Sequence, residues 1–181
     1  MSFCLINKDN FKHNINSISN YIDIKKIAFV LKNNAYGHGL SEMAKLAQQN
    51  NIKHVILIDY RDTNKVIDLF DTILVLSGIP SSKPGDNISI AINQLLDISK
   101  IPKGTNIELK IDTGMHRNGI RIEELDQALE IIEKTKLKLK GAFTHFSNIF
   151  DGEESIYVQK ERFDKIKNKL IDKGFSDIRF H

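Results

Sequence analysis

Lys32 stands where a reactive amine would be expected in this sequence. It follows the apolar residues 29–31 and precedes a glycine-punctuated turn, in the stretch FVLKNNAYGHGL. An amine held beside apolar groups loses solvation, which disfavours its charged form. Such a lysine can act as a base or form a Schiff base with an aldehyde. By position alone the ordinary explanation is favoured, in which a strand-end lysine extends its charge into water.

A second stretch, ELKIDTGMHRNGI, spans residues 108–120 and holds further polar candidates. Arg117 follows a strand pattern and a turn at Gly114, where a planar guanidinium can meet a carboxylate or a phenolate. A surface arginine explains it equally well. Asp112 is either a catalytic acid or the cap of the turn. We favour the cap, because aspartate before Thr-Gly commonly bonds nearby backbone amides.

His145 ends the apolar run GAFT. A lone histidine at such a position is more often a hydrogen-bonded core residue than a ligand. Four other histidines, at positions 13, 38, 54 and 116, lack the spacing of metal ligands, so we predict no metal site.

The elements that must position these residues are short apolar runs separated by helical patterns. The candidate strands are residues 27–31, 54–58, 72–76, 88–92, 107–111, 139–144 and 177–180. The apolar faces of three candidate helices are Leu40, Met43, Ala44 and Ala47; Leu125, Leu129, Ile131 and Ile132; and Tyr157, Phe163, Ile166 and Leu170. Near-continuous apolar strands alternating with helices predict a parallel α/β sheet, as in a β/α barrel or a doubly wound fold.

Two smaller features have ordinary explanations. The lysine-rich segment KTKLKLK, residues 134–140, predicts a helix end followed by a strand, with Leu137 and Leu139 inward and the lysines in water. Residues 77–87 hold two prolines and two glycines and predict a surface loop.

The composition is that of a soluble globular domain. The 181 residues are 41% hydrophobic and 27% charged, with a net charge of +3 spread along the chain, which argues against nucleic-acid binding. The single cysteine, Cys4, rules out an internal disulfide. No apolar run approaches the ~18 residues of a membrane span, and the first ten residues are too polar for a signal peptide, so we expect a cytoplasmic protein.

The stretch AFVLKNNAYGHG closely resembles the pyridoxal-phosphate lysine motif of alanine racemases, a fold-type III β/α-barrel family. The resemblance implies that Lys32 holds pyridoxal 5'-phosphate as a Schiff base. It also implies that the hydroxyl of Tyr36 reaches the cofactor phosphate. Asn33 departs from the commonest family pattern, in which alanine is frequent at this position.

Two further stretches resemble family signatures in the expected order. In ELKIDTGMHRNGI, Arg117 matches the arginine that bonds the phenolic oxygen of the cofactor and lies near the substrate carboxylate. Lys110 falls where many members carry a carbamylated lysine that orients this arginine, and His116 replaces a frequent glycine. In GAFTHFSNIFDGE, His145 matches a histidine of the cofactor's surroundings, and YVQKERFDKI agrees with the helix that usually follows.

The resemblance implies an incomplete (β/α)8 barrel in which residues 1–181 form a truncated N-terminal domain. A complete barrel takes about 250 residues, and this chain is expected to stop within its seventh strand. The family's β-rich C-terminal domain, which carries the tyrosine that serves as second base across a dimer interface, is expected to be missing. The fragment alone is therefore predicted to be inactive or nearly so.

The activity implied for the complete protein is the interconversion of L- and D-alanine for peptidoglycan synthesis, by a homodimer with no nucleic-acid or membrane partner. Lys32 is then one of two bases that exchange the proton at Cα. Three alternatives stay open. They are a racemase for serine or another small amino acid, a non-catalytic pyridoxal-phosphate-binding barrel, and a remnant that does not fold.

Overall fold

The computed structural model describes residues 4–147 and 153–181. The chain divides into two compact units, Met1–Gly78 and Ile79–His181. Across the described residues, every helix is too short or too polar to cross a membrane.

The first unit is a three-stranded parallel sheet with helices. Its elements are α1 (Lys8–Ser19), a 3-10 turn (Ile24–Lys26), β1 (Ala28–Val30), α2 (Lys32–Tyr36), α3 (Leu40–Gln49), β2 (His54–Asp59), a second 3-10 turn (Tyr60–Lys65) and β3 (Thr72–Ser77). Strand β2 lies between β1 and β3, and both pairings are parallel. The buried residues of α3 include all four of its predicted apolar face. Helix α1 is an addition to the predicted elements, and Ile15 is its buried residue.

The second unit is also a parallel sheet. Its elements are β4 (Ile88–Ile92), α4 (Leu95–Ile98), β5 (Asn106–Asp112), β6 (Ile120–Arg121), a 3-10 turn (Ile122–Glu124), α5 (Leu125–Thr135), β7 (Lys138–Phe143), α6 (Glu153–Asp172) and β8 (Arg179–Phe180). The strand order is β4, β5, β7, β8, and the two-residue strand β6 pairs beside the end of β5. All seven predicted strands are confirmed, with ends that shift by at most two residues, whereas β6 was not predicted.

Helices α5 and α6 confirm two predicted faces in part. On α5, Leu125 and Ile132 are buried, while Leu129 and Ile131 are half-buried. The lysine-rich segment is a helix end and a strand start, as predicted, with Leu137 and Leu139 buried.

On α6 the predicted face is wrong at one position. Phe163, Ile166 and Leu170 are buried, but Tyr157 is 66% exposed. Phe163 comes six positions after Tyr157, which places the two on different sides of a helix with 3.6 residues per turn. The buried place on this side is taken by Gln159, four residues before Phe163.

Strand β5 has two chemically different faces. Side chains alternate along a strand, so Ile107, Leu109 and Ile111 share one face. The opposite face carries polar residues throughout, namely Asn106, Glu108, Lys110 and Asp112. Asn106, Glu108 and Lys110 are buried and Asp112 is half-buried, so each needs a partner within the unit.

Candidate active site

The backbone after β1 forms a left-handed turn. Residues 33–36 all have φ near +54°, and Gly37 and Gly39 continue with φ of +89° and +96°. A left-handed conformation costs roughly 1–2 kcal/mol per ordinary L-residue, although Asn tolerates it better than most. Strain of this kind persists only where the surroundings hold it, and it clusters at functional sites. The motif that contains Lys32 is therefore a strained segment.

Hydrogen bonds inside the segment hold this turn in place. The Asn34 side-chain carbonyl accepts from the backbone N–H of Leu40 at 2.9 Å, which joins the turn to the start of α3. The backbone N–H of Gly39 donates to the carbonyl of Asn34 at 3.0 Å. His38 donates from Nδ1 to the carbonyl of Ala35 at 2.8 Å. Each of these bonds lies within eight positions of Lys32 in the sequence, so the segment largely constrains itself.

Lys32 lies at the start of this turn and is half-buried. Its Nζ lies 5.6 Å from the centroid of the Tyr36 ring, a cation–π contact. Tyr36 itself is 58% exposed. Within the described part of the chain, neither the Lys32 amine nor the Tyr36 hydroxyl has a hydrogen-bond or ion-pair partner. Both polar ends are therefore available to a ligand.

The nearby strand end of β2 also carries a charge, but this charge is already paired. Asp59 accepts hydrogen bonds from the Arg61 guanidinium, the shortest at 2.6 Å. The side-chain bond to Arg61, with help from its backbone N–H, lowers the pKa of Asp59 to about 2. Asp59 is therefore an ionised carboxylate that is paired with Arg61.

In the second unit, the loop after β5 is capped by Asp112, as the sequence predicted. Its Oδ1 accepts from the backbone N–H groups of Gly114 and His116, both at 3.0 Å. Partial burial acts to raise the pKa of Asp112, but these backbone bonds and the nearby His116 ring outweigh it and hold the pKa below its ordinary value. The bonds favour the carboxylate because they are stronger to the charged form. Asp112 is thus an ionised cap of this loop.

Lys110 is buried on the polar face of β5 and reaches the same loop. Its amine donates to the side-chain carbonyl of Asn118, and the Asn118 amide donates to Asn93 at 3.1 Å. Arg117, between His116 and Asn118, is exposed, and its guanidinium has no partner among the described residues. Lys110 therefore positions Asn118, the residue after Arg117, while the Arg117 guanidinium stays available to a ligand.

Helix α6 holds this loop from outside. Arg162 donates from Nη1 to the carbonyl of Thr113 at 2.9 Å. A Cβ on Gly114 would lie 3.2 Å from Arg162 Nη1 and 3.3 Å from Gln159 Cγ, so the missing side chain leaves room for both. The Gln159 carbonyl also accepts from Ser147, at 3.0 Å from its N–H and 3.1 Å from its hydroxyl. Sequence patterns gave Arg162 and Gln159 no role.

His145, the remaining predicted site residue, follows β7 and is exposed. Just before it, the Thr144 hydroxyl donates to the carbonyl of Ile111 at 2.9 Å and lies 2.8 Å from the Thr113 hydroxyl. These bonds join the ends of β5 and β7. Residues 148–152 of the third resembling stretch lie outside the described residues.

The predicted residues divide between the two units. Lys32 contacts Tyr36 in the first unit, whereas in the second unit Lys110 lies near the carboxyl end of β5 and Arg117 and His145 follow β5 and β7. Parallel strands with polar residues at their carboxyl ends are the arrangement of β/α-barrel proteins, whose functional groups lie at that end.

Comparisons with known proteins give the family. The family model described as "Alanine racemase, N-terminal domain" matches residues 6–181. An alanine racemase of Campylobacter jejuni is 36% identical over 182 residues, which cover 100% of this chain and 55% of the relative. One from Nitratiruptor is 37% identical over 173 residues, or 95% and 51% of the two chains. The chain belongs to the alanine racemase family and spans about half the length of these curated relatives.

Solved structures agree. An alanine racemase of Clostridium difficile superimposes with a TM-score of 0.80 at 26% identity, over 96% of this chain and 50% of the other. A histidine racemase of Leuconostoc mesenteroides shares the fold, with a TM-score of 0.72 at 23% identity over 87% of this chain and 46% of the other. The predicted fold class, an incomplete β/α barrel of parallel strands, is confirmed.

Proposed function

We propose that this chain is the N-terminal part of an alanine racemase that uses pyridoxal 5'-phosphate and acts on L- and D-alanine. The observation that carries the proposal is the Lys32 amine, which stands on a strained left-handed turn without an acidic partner among the described residues. The proposal for the whole protein includes a homodimer, a cytoplasmic location and a supply of D-alanine for peptidoglycan. It rests on family membership, because the chain covers 55% of its relative from Campylobacter jejuni.

The residues present fit this cofactor chemically. Lys32 offers a primary amine, which is the group that bonds an aldehyde. Tyr36 offers an exposed hydroxyl four residues later, a donor suited to a phosphate oxygen. Arg117 offers an exposed guanidinium, which donates two parallel hydrogen bonds to a carboxylate or one to a phenolate.

The chemistry supplied by bound pyridoxal phosphate is the withdrawal of electrons from Cα of an amino acid, which makes its proton removable. In our proposal, the Lys32 amine removes or returns that proton on one face of the substrate. Arg117 orients the phenolic oxygen of the cofactor and the substrate carboxylate. Lys110 supports Arg117 through Asn118, and His145 completes the surroundings of the cofactor.

Reductive trapping tests the cofactor proposal on the chain as it exists. Pyridoxal phosphate is added, the linkage is reduced with borohydride, and labelled peptides are identified by mass spectrometry. We expect a label on Lys32 that is lost in Lys32→Ala and kept in Lys45→Ala, which removes an exposed lysine of α3. Labelling spread over surface lysines, with Lys32 no more reactive than Lys45, would contradict the proposal.

The substrate requires a second measurement on a protein of the relatives' full length. Racemisation rates with alanine, serine and histidine separate the proposed activity from the alternatives, because the histidine racemase of Leuconostoc mesenteroides shares this fold. We expect alanine to give the highest kcat/KM. A full-length protein that binds the cofactor and racemises none of the three would instead support a non-catalytic pyridoxal-phosphate protein.

A further inference from the structure

Glu108 is a buried carboxylate whose partners lie two strands away. Its side chain is 1% exposed, within β5. Its partners are on and just after β8, where Arg179 Nη2 lies 3.1 Å from Oε1 and His181 Nε2 lies 2.7 Å from Oε2. Strand β7 lies between β5 and β8. Since neighbouring strands are about 4.8 Å apart, the carboxylate spans most of a distance of about 10 Å.

Gly141 on β7 has no side chain, and this leaves space for the Glu108 carboxylate to cross β7 toward β8. It pairs with Glu108 on one side and with Arg179 on the other. A Cβ at Gly141 would lie 2.7 Å from Glu108 Oε2, 2.9 Å from Glu108 Cδ and 3.0 Å from the carbonyl oxygen of Arg179. All three distances are at or below the closest approach of real Cβ atoms. Any side chain at position 141 would therefore push the carboxylate away from β8.

The His181 ring is fixed on several sides. It stacks on Phe143, with ring centroids 4.9 Å apart and planes 5° from parallel. The backbone of His181 accepts from the N–H of Thr144 at 3.0 Å and donates to the carbonyl of Ala142 at 3.2 Å. Glu108 then holds Nε2 at 2.7 Å. The ring therefore cannot turn without breaking its stack or its bond to Glu108.

The identity of the partner decides which ring nitrogen carries the proton. An ionised carboxylate only accepts hydrogen bonds, so Nε2 must be the donor. In the neutral ring Nδ1 is then an acceptor. Arg179, which is always charged, balances the buried carboxylate. Among the described residues none bonds Nδ1, so this acceptor is left for a group outside them.

We propose that Glu108 is a positioning residue that fixes His181 in its Nε2–H form and presents Nδ1 as a hydrogen-bond acceptor beyond the carboxyl end of β8. Gly141 makes this possible by leaving the space between them empty. The use of this acceptor in the reaction rests on the proposed function, because the carboxyl ends of the strands are where that function places its ligands. The acceptor suits an N–H or O–H donor.

Nitrogen NMR of the histidine rings tests this proposal on the whole chain without cofactor. At a pH well above the ordinary histidine pKa of about 6.5, the two ring-nitrogen shifts report the tautomer directly. The His181 signals are assigned by their loss in His181→Gln. We expect the Nε2–H form to dominate in the native chain. A dominant Nδ1–H form, an even mixture of forms or a ring protonated on both nitrogens would overturn the proposal.

Two variants separate positioning from simple packing. Glu108→Gln keeps the size of the side chain but loses the charge-assisted bond, which is about twice as strong as a neutral one. The ratio of the Nε2–H form to the Nδ1–H form of His181 should therefore fall about fivefold. Gly141→Ala keeps Glu108 but displaces its carboxylate, and it should change the ratio in the same direction. Phe143→Leu removes the stack and should leave the ratio unchanged. Because no cofactor is present, failure of this test is distinct from failure of Lys32 labelling.

Discussion

After β1 the chain turns through four residues with φ near +54°, held mainly by bonds within the turn itself. After β5 the chain is held by side chains of the strand end, Asp112 and Lys110, and by Arg162, which reaches it from α6. The first loop thus stores backbone strain, and the second is cross-linked. We therefore expect substitutions that relieve strain to matter after β1, and substitutions that remove partners or space to matter after β5.

The largest effect is expected from Gly119→Ala, at the end of the cross-linked loop. Gly119 has φ of +133°, and a Cβ there would lie 2.7 Å from the backbone N of Asp112. Backbone cannot move aside cheaply, so we expect a loss of about 3–5 kcal/mol in the free energy of unfolding. The measurement is urea denaturation followed by circular dichroism.

Gly37→Ala in the strained turn is the matched control. Gly37 also has positive φ, at +89°, but a Cβ added there would meet no heavy atom of the described residues within 4 Å. Only the conformational cost of roughly 1–2 kcal/mol applies. Equal losses in Gly37→Ala and Gly119→Ala would show that conformation, and not space, governs both loops.

Next in size is Arg162→Met, which removes the donor to the Thr113 carbonyl. A hydrogen bond from a charged group is worth about 1.5–3 kcal/mol, and we expect a loss of that order. Hydrogen exchange should quicken at residues 112–118 and stay unchanged at residues 33–39. Lys165→Met is the control on the same helix, because its exposed pair with Glu161 is worth about 0–1 kcal/mol. Uniformly faster exchange in both loops would contradict a local clamp.

The cross-linked loop should also carry an acid dependence. Backbone bonds hold the pKa of Asp112 below its ordinary value of 3.8 in the folded state, despite partial burial. A lowered pKa stabilises the fold above pH 3.8, and that contribution is lost as the pH falls through the folded-state pKa. The difference in unfolding free energy between the native chain and Asp112→Asn should therefore shrink below pH 3.8. A difference that stays constant down to the acid transition would show that Asp112 contributes no charge effect.

The smallest effect is expected at Ala35 in the strained turn. Ala35→Gly relieves a φ of +53° but adds chain entropy to the unfolded state and removes a buried methyl. These contributions nearly cancel, so we expect a change within about 0.5 kcal/mol. Ala44→Gly, in the right-handed helix α3, should lose at least about 1 kcal/mol. A clear loss in Ala35→Gly would mean that the turn is not strained.

Local patterns in the sequence predicted much of this architecture. Strands were visible as apolar runs because parallel strands are buried on both faces. The Asp112 cap was visible because its bonds reach only two and four residues along the chain. Positions 33 and 34 are both Asn, which tolerates left-handed backbone, yet nothing in Ala35 or Tyr36 indicates that the turn continues through them.

Features that depend on tertiary partners were not predictable. The role of Gln159 was not predictable because Gln159 is a polar residue on the buried side of α6, and the search for a buried face considered only apolar residues. The contact of Glu108 with His181 requires the strand order β5, β7, β8, which no local pattern contains. Sequence resemblance named Lys32, Tyr36, Lys110, Arg117 and His145, and their roles stay predictions until the trapping and rate measurements are made.

The empty place at Gly141 links two positions that are far apart in the sequence and face each other on neighbouring strands. An alanine at position 141 requires the Glu108 carboxylate to move, as though the backbone itself demanded glycine. Two of the three close contacts of its Cβ are with Glu108, and the third is with the carbonyl oxygen of Arg179 at 3.0 Å. If Glu108 is first shortened to Ser, only the third contact remains, so alanine at position 141 should then cost less than it does beside Glu108.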